Sequence, residues 1–362
     1  MDVTFLAPVP DMSGGARVND IYARALAKRG HRVTVVVVPR PRRTLRRTVG
    51  DFVRRRPPVS TATHFSGDGY RLKYLERCRP IRADDLPPSD IVVATWWETA
   101  RWLIDMPDTV GVKAHLVQGY EAFTDEMKPH VHEVLRAPTV KITISRWLRD
   151  KLRDEFGNQN VDMVLNGVDL AQFHAPPRGR QAAFTVGTLY NGQPSKNTRL
   201  SFALFEALRT THPDARLVTL GLQAVSPELP LPAGATHFQA PAQDRIREVY
   251  AQCDLWLCCS RSEGFHLPPL EAMACRCPVL STPVGGPQDI VVDGVNGYLF
   301  PFDDFESGLR LLTRIADTDE ATWRALSDGA YATAIAASWD AAADQVEQAL
   351  QRAVDRAGRP AG

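Results

Sequence analysis

Hydrophobic and polar positions along the first fifty residues switch period three times. "VTFLAP" is a short apolar run that ends in prolines, and "DMSGGARVN" reads as a flexible turn. "DIYARALAKRG" then carries Ile21, Ala25 and Leu26 inward, Arg29 outward and a stop at Gly30. "HRVTVVVV" is a β-branched run suited to a strand buried on both faces. Strand, loop, helix and strand in that order predict a right-handed βαβ unit of a parallel sheet. Further strands are predicted at "DIVVAT", "VKAHLVQ" and "TVKITIS", the last running into the helical "RWLRDKLRDEF". A doubly wound α/β domain is therefore expected over residues 1–160.

The pattern then restarts. "VDMVLNGVD" reads as a link, "AAFTVGTLY" as a new first strand, and a helix is predicted from Asn197 to about Thr211. "ARLVTLG", "DRIREVYAQC" and "DLWLCC" continue the alternation, and "CPVLST" and "GYLF" close it. A second α/β domain of similar size is expected over 161–337. A final helix, about 338–356, sets Trp339, Ala343, Val346, Leu350 and Val354 on one face. That face suits packing back on the first domain as well as closing the second.

Composition narrows the class. The chain has 362 residues, 44% hydrophobic and 23% charged, with a formal net charge of +1, which is the balance of a soluble globular protein with room for two cores. No apolar run approaches the roughly 18 to 20 residues that span a bilayer, and "MDVTFLAPVP" lacks the order of a signal peptide, so a cytoplasmic protein is expected. Five of the six cysteines (Cys78, Cys253, Cys258, Cys259, Cys275, Cys277) crowd into apolar context and read as buried thiols. Cys275 and Cys277 are too closely spaced for a zinc finger.

One stretch is biased. Eight arginines lie between Arg40 and Arg56 with only Asp51 against them, and Leu45, Val49, Phe52 and Val53 recur beside them at helical spacing. A solvated loop and an interfacial helix on the anionic inner face of a membrane both fit. The near-zero net charge and the lack of an aromatic platform interleaved with the basic run argue against nucleic acid.

Ligands of doubly wound folds bind at the C-terminal ends of the strands, and two such domains would face a central cleft. In "SGGA", Gly14 and Gly15 let backbone approach a phosphate or sugar. The spacing is not that of a dinucleotide fingerprint, and in "GTLYNGQPSK" Gln193 stands where a Walker lysine must be. "SEGFHLPPLEAM" is more informative. Glu263 and Gly264 follow a buried strand, while Pro268 and Pro269 suit a first helical turn, where a missing N–H costs nothing. The N–H groups near Phe265 to Leu267 are then free for an anion. Glu271, a turn later, can accept hydrogen bonds from two neighbouring ribose hydroxyls, and Glu263 can meet a second polyol beyond the phosphates. Two carboxylates flanking an anion site fit a nucleotide sugar; capping carboxylates at the two ends of an ordinary helix are the alternative. His31 reads as a turn residue and His115 as a core histidine. Asp303 and Asp304 sit in a late loop, so no metal site is expected.

The run "YAQCDLWLCCSRSEGFHLPPLEAMACRCPVLSTPVGGPQDIVVDGVNGYLF" resembles the donor-binding half of retaining GT-B glycosyltransferases, specifically family 4, whose signature is Glu, seven residues, Glu. "SGGARVNDIYARALAKRGHRVTVV", "ITISRWLRDKL", "VLNGVDLAQF" and "FTVGTLY" extend the resemblance along nearly the whole chain, and "LVQGYEAF" after "WW" is similar to the branch containing rhamnosyl and related polysaccharide transferases. The resemblance implies two Rossmann-like domains, an N-terminal one for the acceptor and a C-terminal one for the nucleotide-sugar donor, and no metal or other cofactor. It implies that Glu271 holds the ribose, that Glu263 lies near the donor sugar and reacting centre, and that Gly264, Phe265, His266 and Leu267 face sugar and diphosphate. Donor contacts are also implied at Gly14, Gly15, Gly187 and Thr188. A basic pair normally neutralises the diphosphate; Thr188 occupies the usual arginine position, leaving Lys196, with Arg199 in reserve. Gln118 stands where a histidine is frequent and can bond a sugar hydroxyl but not shuttle a proton. The acceptor, a saccharide or a lipid-linked one, is expected near Trp96, Trp97, Gln118, Tyr120 and Glu121. A nucleotide-sugar epimerase of the same fold, or a non-catalytic sugar-nucleotide-binding subunit, would use a similar site.

Overall fold

The computed structural model describes residues 1–41 and 63–358, so most of the basic stretch between Arg40 and Arg56 lies outside the described residues. Cα packing divides the chain into two units. One comprises Met1–Ile144, Leu148–Val164 and the residues from Ala343 on; the other comprises Ser145–Trp147 and Leu165–Ala342.

In the first unit β1 (Asp2–Ala7), α1 (Gly14–Lys28) and β2 (Arg32–Val37) form the expected βαβ unit, and β2 is buried from Val33 onward. Then follow β3 (Arg71–Tyr74), β4 (Ile91–Ala94), α2 (Trp97–Ile104), β5 (Val112–Val117), α3 (Lys128–Arg136), β6 (Val140–Thr143), α4 (Arg146–Phe156) and β7 (Val161–Met163). The strands pair in the order β3-β2-β1-β4-β5-β6-β7, all parallel. Two readings are corrected. Gly14 and Gly15 are the first residues of α1, not a flexible turn, because the Ser13 hydroxyl accepts from the Ala16 N–H at 3.2 Å and caps the helix. "VDM", read as part of a link, is β7 and extends the sheet beside β6.

In the second unit β8 (Thr185–Leu189), α5 (Thr198–Leu208), β9 (Arg216–Gly221), β10 (Thr236–Gln239), α6 (Ile246–Ala251), β11 (Leu255–Cys258), α7 (Leu267–Ala274), β12 (Val279–Ser281), α8 (Pro287–Ile290) and β13 (Gly297–Leu299) repeat the scheme. Their order, β10-β9-β8-β11-β12-β13, is the same winding as in the first unit. α5 ends at Leu208, three residues before the predicted Thr211. Phe205, Leu208, Leu217, Leu257, Leu280 and Phe300 contribute to the core on one side of this sheet. On β8, Gly187 faces the Trp256 ring and the Cys253 sulfur so closely that a Cβ would lie 2.4 Å and 2.6 Å from them. Packing therefore accounts for this glycine.

Two helices follow, α9 (Phe305–Ala316) and α10 (Glu320–Ala336), started by Asp304 and Asp319, whose carboxylates accept from the Ser307 and Thr322 N–H groups. α11 (Trp339–Ala357) comes last, with Ala343, Val346 and Leu350 buried. Its residues from Ala343 on pack with the first unit. Asp344 and Glu347 pair with Arg29, Glu347 also meets His31, and Arg352 pairs with Asp162. Among the described residues no helix is long and apolar enough to cross a membrane.

Candidate functional site

In the second unit the functional side chains gather at the C-terminal ends of β8 and β11. The chain leaves β8 into a short turn, Pro194–Lys196, and Asn197 is left-handed at φ 51° before α5 begins. The Ser195 carbonyl accepts from the Arg261 N–H at 2.7 Å, while Asp303 accepts from both Arg261 and the Asn197 amide. These bonds hold the Lys196 turn against the segment that follows β11. Lys196 Nζ consequently donates to both oxygens of Glu263, at 2.7 Å each, and His266 Nδ1 lies 3.1 Å from Glu263 Oε1. The Glu263 side chain is 9% exposed. Burial resists its ionisation, but the His266 ring and the Lys196 ammonium outweigh that and hold the carboxyl at about 2. A cavity of about 10 Å³, room for one water, lies among Thr188, Lys196, Cys258 and His266.

The backbone after Glu263 is fixed from two sides. The Ser145 hydroxyl and the Trp147 indole N–H donate to the Gly264 carbonyl at 3.0 and 3.2 Å. The Gly286 N–H donates to the Phe265 carbonyl at 2.5 Å, and a Cβ on Gly286 would stand 2.7 Å from that same oxygen. His266 precedes α7, and Pro268 and Pro269 fill the first turn. The amides at the start of α7 have no intrahelical acceptor and concentrate positive potential there. Within α7, Glu271 is buried and its Oε2 accepts from the Tyr250 hydroxyl at 2.9 Å. Burial, reinforced by the Glu271 carboxylate, pushes the Tyr250 phenol well above its ordinary range, so it remains a donor.

Some expected donor residues are engaged elsewhere. The Thr188 hydroxyl is buried and donates to the Leu257 carbonyl at 2.8 Å. Arg199 is exposed and its guanidinium donates to the Glu228 carbonyl, away from the Lys196–Glu263 pair. Asp303 and Asp304 are taken up by Arg261 and by the cap of α9. Ser145, Trp147 and Gly286 were not singled out from sequence as site residues, although the glycine pair in "PVGG" directly after a strand is a signal of close backbone approach.

In the first unit Gln118 follows β5 and lies beside the start of α1. Its Nε2 donates to Asn19 Oδ1 at 2.9 Å and to the Gly15 carbonyl at 3.4 Å, and its buried Oε1 has no hydrogen-bond partner. Glu121 Oε2 accepts from the Trp97 N–H at 2.7 Å, at the start of α2. Burial pushes the Glu121 carboxyl up to about 8, against that bond and with help from Glu98. Trp96 stacks with Phe123 at 6.1 Å, Phe123 being 69% exposed, and Trp97 stacks with His130, also at 6.1 Å. Tyr120 donates or accepts at His132 Nε2 over 2.7 Å and carries the Lys151 ammonium 4.4 Å above its ring. His115 is buried in β5, and burial with the Lys141 charge pushes it down to about 3, as suits a core residue.

Two parallel sheets wound in one order are the architecture of the GT-B fold, and the Glu-seven-Glu segment that opens a helix beside a lysine resembles the signature of its glycosyltransferases. Residues 12–172 match the family model Glycosyltransferase Family 4 and residues 172–332 match Glycosyl transferases group 1, and the chain belongs to the glycosyltransferases that combine these two domains. The D-inositol 3-phosphate glycosyltransferase of Xylanimonas cellulosilytica is 26% identical over 297 residues, covering 74% of this chain and 70% of the relative. Against further relatives of that name the chain spans less than half of their length. Among solved structures, sucrose-phosphate synthase from Thermosynechococcus elongatus superposes with a TM-score of 0.72 at 18% identity, covering 99% of this chain and all of that one. HepE from Anabaena, in complex with UDP and glucose, gives 0.71 at 16%, covering 97% and 100%. At these identities the likeness is one of fold.

Proposed function

We propose that the protein transfers a sugar from a nucleoside-diphosphate sugar to an acceptor hydroxyl with retention of anomeric configuration and without a metal ion. The single observation that carries this reading is the buried pair of carboxylates on one strand-loop-helix segment, each already matched to a donor. Glu263 is held ionised by Lys196 and His266, and Glu271 is aimed by Tyr250. In this reading Glu271 accepts from the ribose hydroxyls, with the Tyr250 bond fixing its rotamer. Lys196 and the amides at the start of α7 bind the diphosphate, and they stabilise the charge that grows on it as the glycosidic bond breaks. The departing phosphate oxygen takes the acceptor's proton, so no side-chain base is required, which suits a glutamine at position 118. Glu263 lies beside the sugar and lets Lys196 keep its charge. The resemblance to retaining family 4 enzymes supports the stereochemistry, and the UDP bound by HepE makes UDP the first donor nucleotide to try.

The first unit supplies the acceptor side in this reading. Trp96 and Phe123 offer an aromatic shelf, exposed at Phe123, against which the apolar face of a sugar ring can stack. A saccharide of a bacterial surface polysaccharide or glycolipid fits that chemistry, and peripheral contact of the Arg40 to Arg56 stretch with an anionic membrane would bring a lipid-linked acceptor within reach. The test is incubation with UDP-glucose and other nucleotide sugars in the presence of EDTA, with saccharide acceptors, followed by proton NMR. Transfer that gives the donor's own anomer supports the proposal. An inverted product, a requirement for divalent metal, or a new epimer formed without acceptor would each contradict it.

A further inference from the structure

His266 occupies a backbone conformation that a side chain disfavours. Its φ of 73° and ψ of 78° lie in the left-handed region, where glycine is the low-strain choice. The ring is nevertheless buried, 3% exposed, and engaged at both nitrogens. Nδ1 lies 3.1 Å from Glu263 Oε1 and Nε2 lies 3.3 Å from Cys258 Sγ. An ionised carboxylate only accepts, so Nδ1 carries the hydrogen. The Cys258 thiol is pushed well above its ordinary range, by burial first and then by Cys259 and Glu263, so it stays S–H and can donate to Nε2. The ring is thus set in one orientation and one tautomer from its two ends. Non-glycine residues kept in such a conformation cluster where function requires them.

The requirement comes from Lys196. It now gives both close contacts to Glu263, and to serve a diphosphate it must turn from a carboxylate that is almost wholly buried. A buried charge that loses its partner is strongly destabilising. We propose that His266 is the positioning residue that stays on Glu263 and keeps it compensated while Lys196 turns to the donor diphosphate. His266 acts through Glu263 and its side chain need not touch the donor. The inference rests on the donor-site reading given above and adds to it a division of labour between the two donors that share one carboxylate.

The test compares diphosphate with nucleoside, so that only the contribution of the phosphates is read. UDP, GDP, ADP, dTDP and CDP, each paired with its nucleoside, are titrated calorimetrically against the full chain and its variants. His266→Gly relieves the backbone but removes the bond to Glu263, whereas His266→Asn tolerates the left-handed conformation and offers an amide N–H in its place. His266→Gly should reduce the affinity ratio of diphosphate to nucleoside about tenfold, the worth of one charge-assisted hydrogen bond. His266→Asn should restore the ratio to within about threefold of wild type, and in a Glu263→Gln background His266→Gly should change it less than about twofold, because no charge is left to compensate. An unchanged ratio in His266→Gly would overturn the inference while leaving the donor site intact. So would equal loss of nucleoside and diphosphate binding, or a His266→Asn variant no better than His266→Gly. If none of the five diphosphates bound the wild-type chain, the donor-site reading would fall and the inference with it.

Discussion

The two units share one strand order and differ in how their candidate residues are held. In the second unit the groups are charged, buried and saturated: Lys196 and His266 on Glu263, Tyr250 on Glu271, and Ser145 with Trp147 on the Gly264 carbonyl. In the first they are aromatic or neutral and partly open, with Phe123 exposed and Gln118 Oε1 unpartnered. Under the proposed function the second unit holds a diphosphate, which presents the same charge whatever sugar it carries, so a preorganised cluster serves it well. An acceptor differs from enzyme to enzyme, and side chains on loops at the strand ends can vary without disturbing the sheet.

The comparison is broken most severely by removing the second unit's cation. Lys196→Ala should lower the transfer rate about a hundredfold, the usual scale for one preorganised donor, with folding checked by circular dichroism. A rate within a few-fold of wild type would contradict the role given to Lys196.

The same contrast appears in acid and base. Glu263 has a folded value near 2, below its ordinary 4.5, so the stability it contributes is present above about pH 4.5 and is lost as pH falls toward 2. Glu121 is raised to about 8, so its contribution is present below about 4.5 and is lost as pH rises through 8. Melting temperature against pH should show Glu263→Gln flattening the fall below about pH 4.5 and Glu121→Gln flattening the fall between about pH 4.5 and 8. The acid effect is on the order of 3 kcal/mol at most, from about 1.4 kcal/mol per pH unit. The opposite assignment of the two pH ranges would refute the electrostatics of both sites.

The smallest effect belongs to the open shelf. Phe123→Ala should raise the KM for a saccharide acceptor about threefold, the worth of one aromatic contact, and leave nucleoside-diphosphate affinity unchanged. A change in nucleotide affinity instead would remove the division between the units.

Much of this was legible in the sequence, for identifiable reasons. The β-branched run of β2 and the restart at "AAFTVGTLY" gave the two sheets, because strands buried on both faces carry continuous apolar runs. The short polar edge strands β3 and β10 have no such run, so they left no trace. At the site, Glu263 and Glu271 were readable because the proline pair fixes where the helix starts. The Lys196 bond was readable as a residue choice but not as a geometry, since Asn197 and Arg261 set the turn through contacts remote in sequence. Gly187 was given to the ligand, whereas the Trp256 ring already requires it. Thr188 and Arg199 were candidates by position, and their side chains are committed to the Leu257 and Glu228 carbonyls. Partners of that kind lie outside any local pattern.

The central claim is that Glu271, aimed by Tyr250, holds a nucleoside diphosphate in the second unit. Thermal unfolding of wild type and Glu271→Ala, without metal, in the presence of UDP, GDP, ADP, dTDP or CDP tests it most directly. At a hundred times its dissociation constant a ligand adds about 2.7 kcal/mol. The account predicts that one diphosphate raises the wild-type melting temperature by the shift that this stabilisation corresponds to, and that the variant shows no shift. No shift with any of the five, or an equal shift in Glu271→Ala, would contradict it.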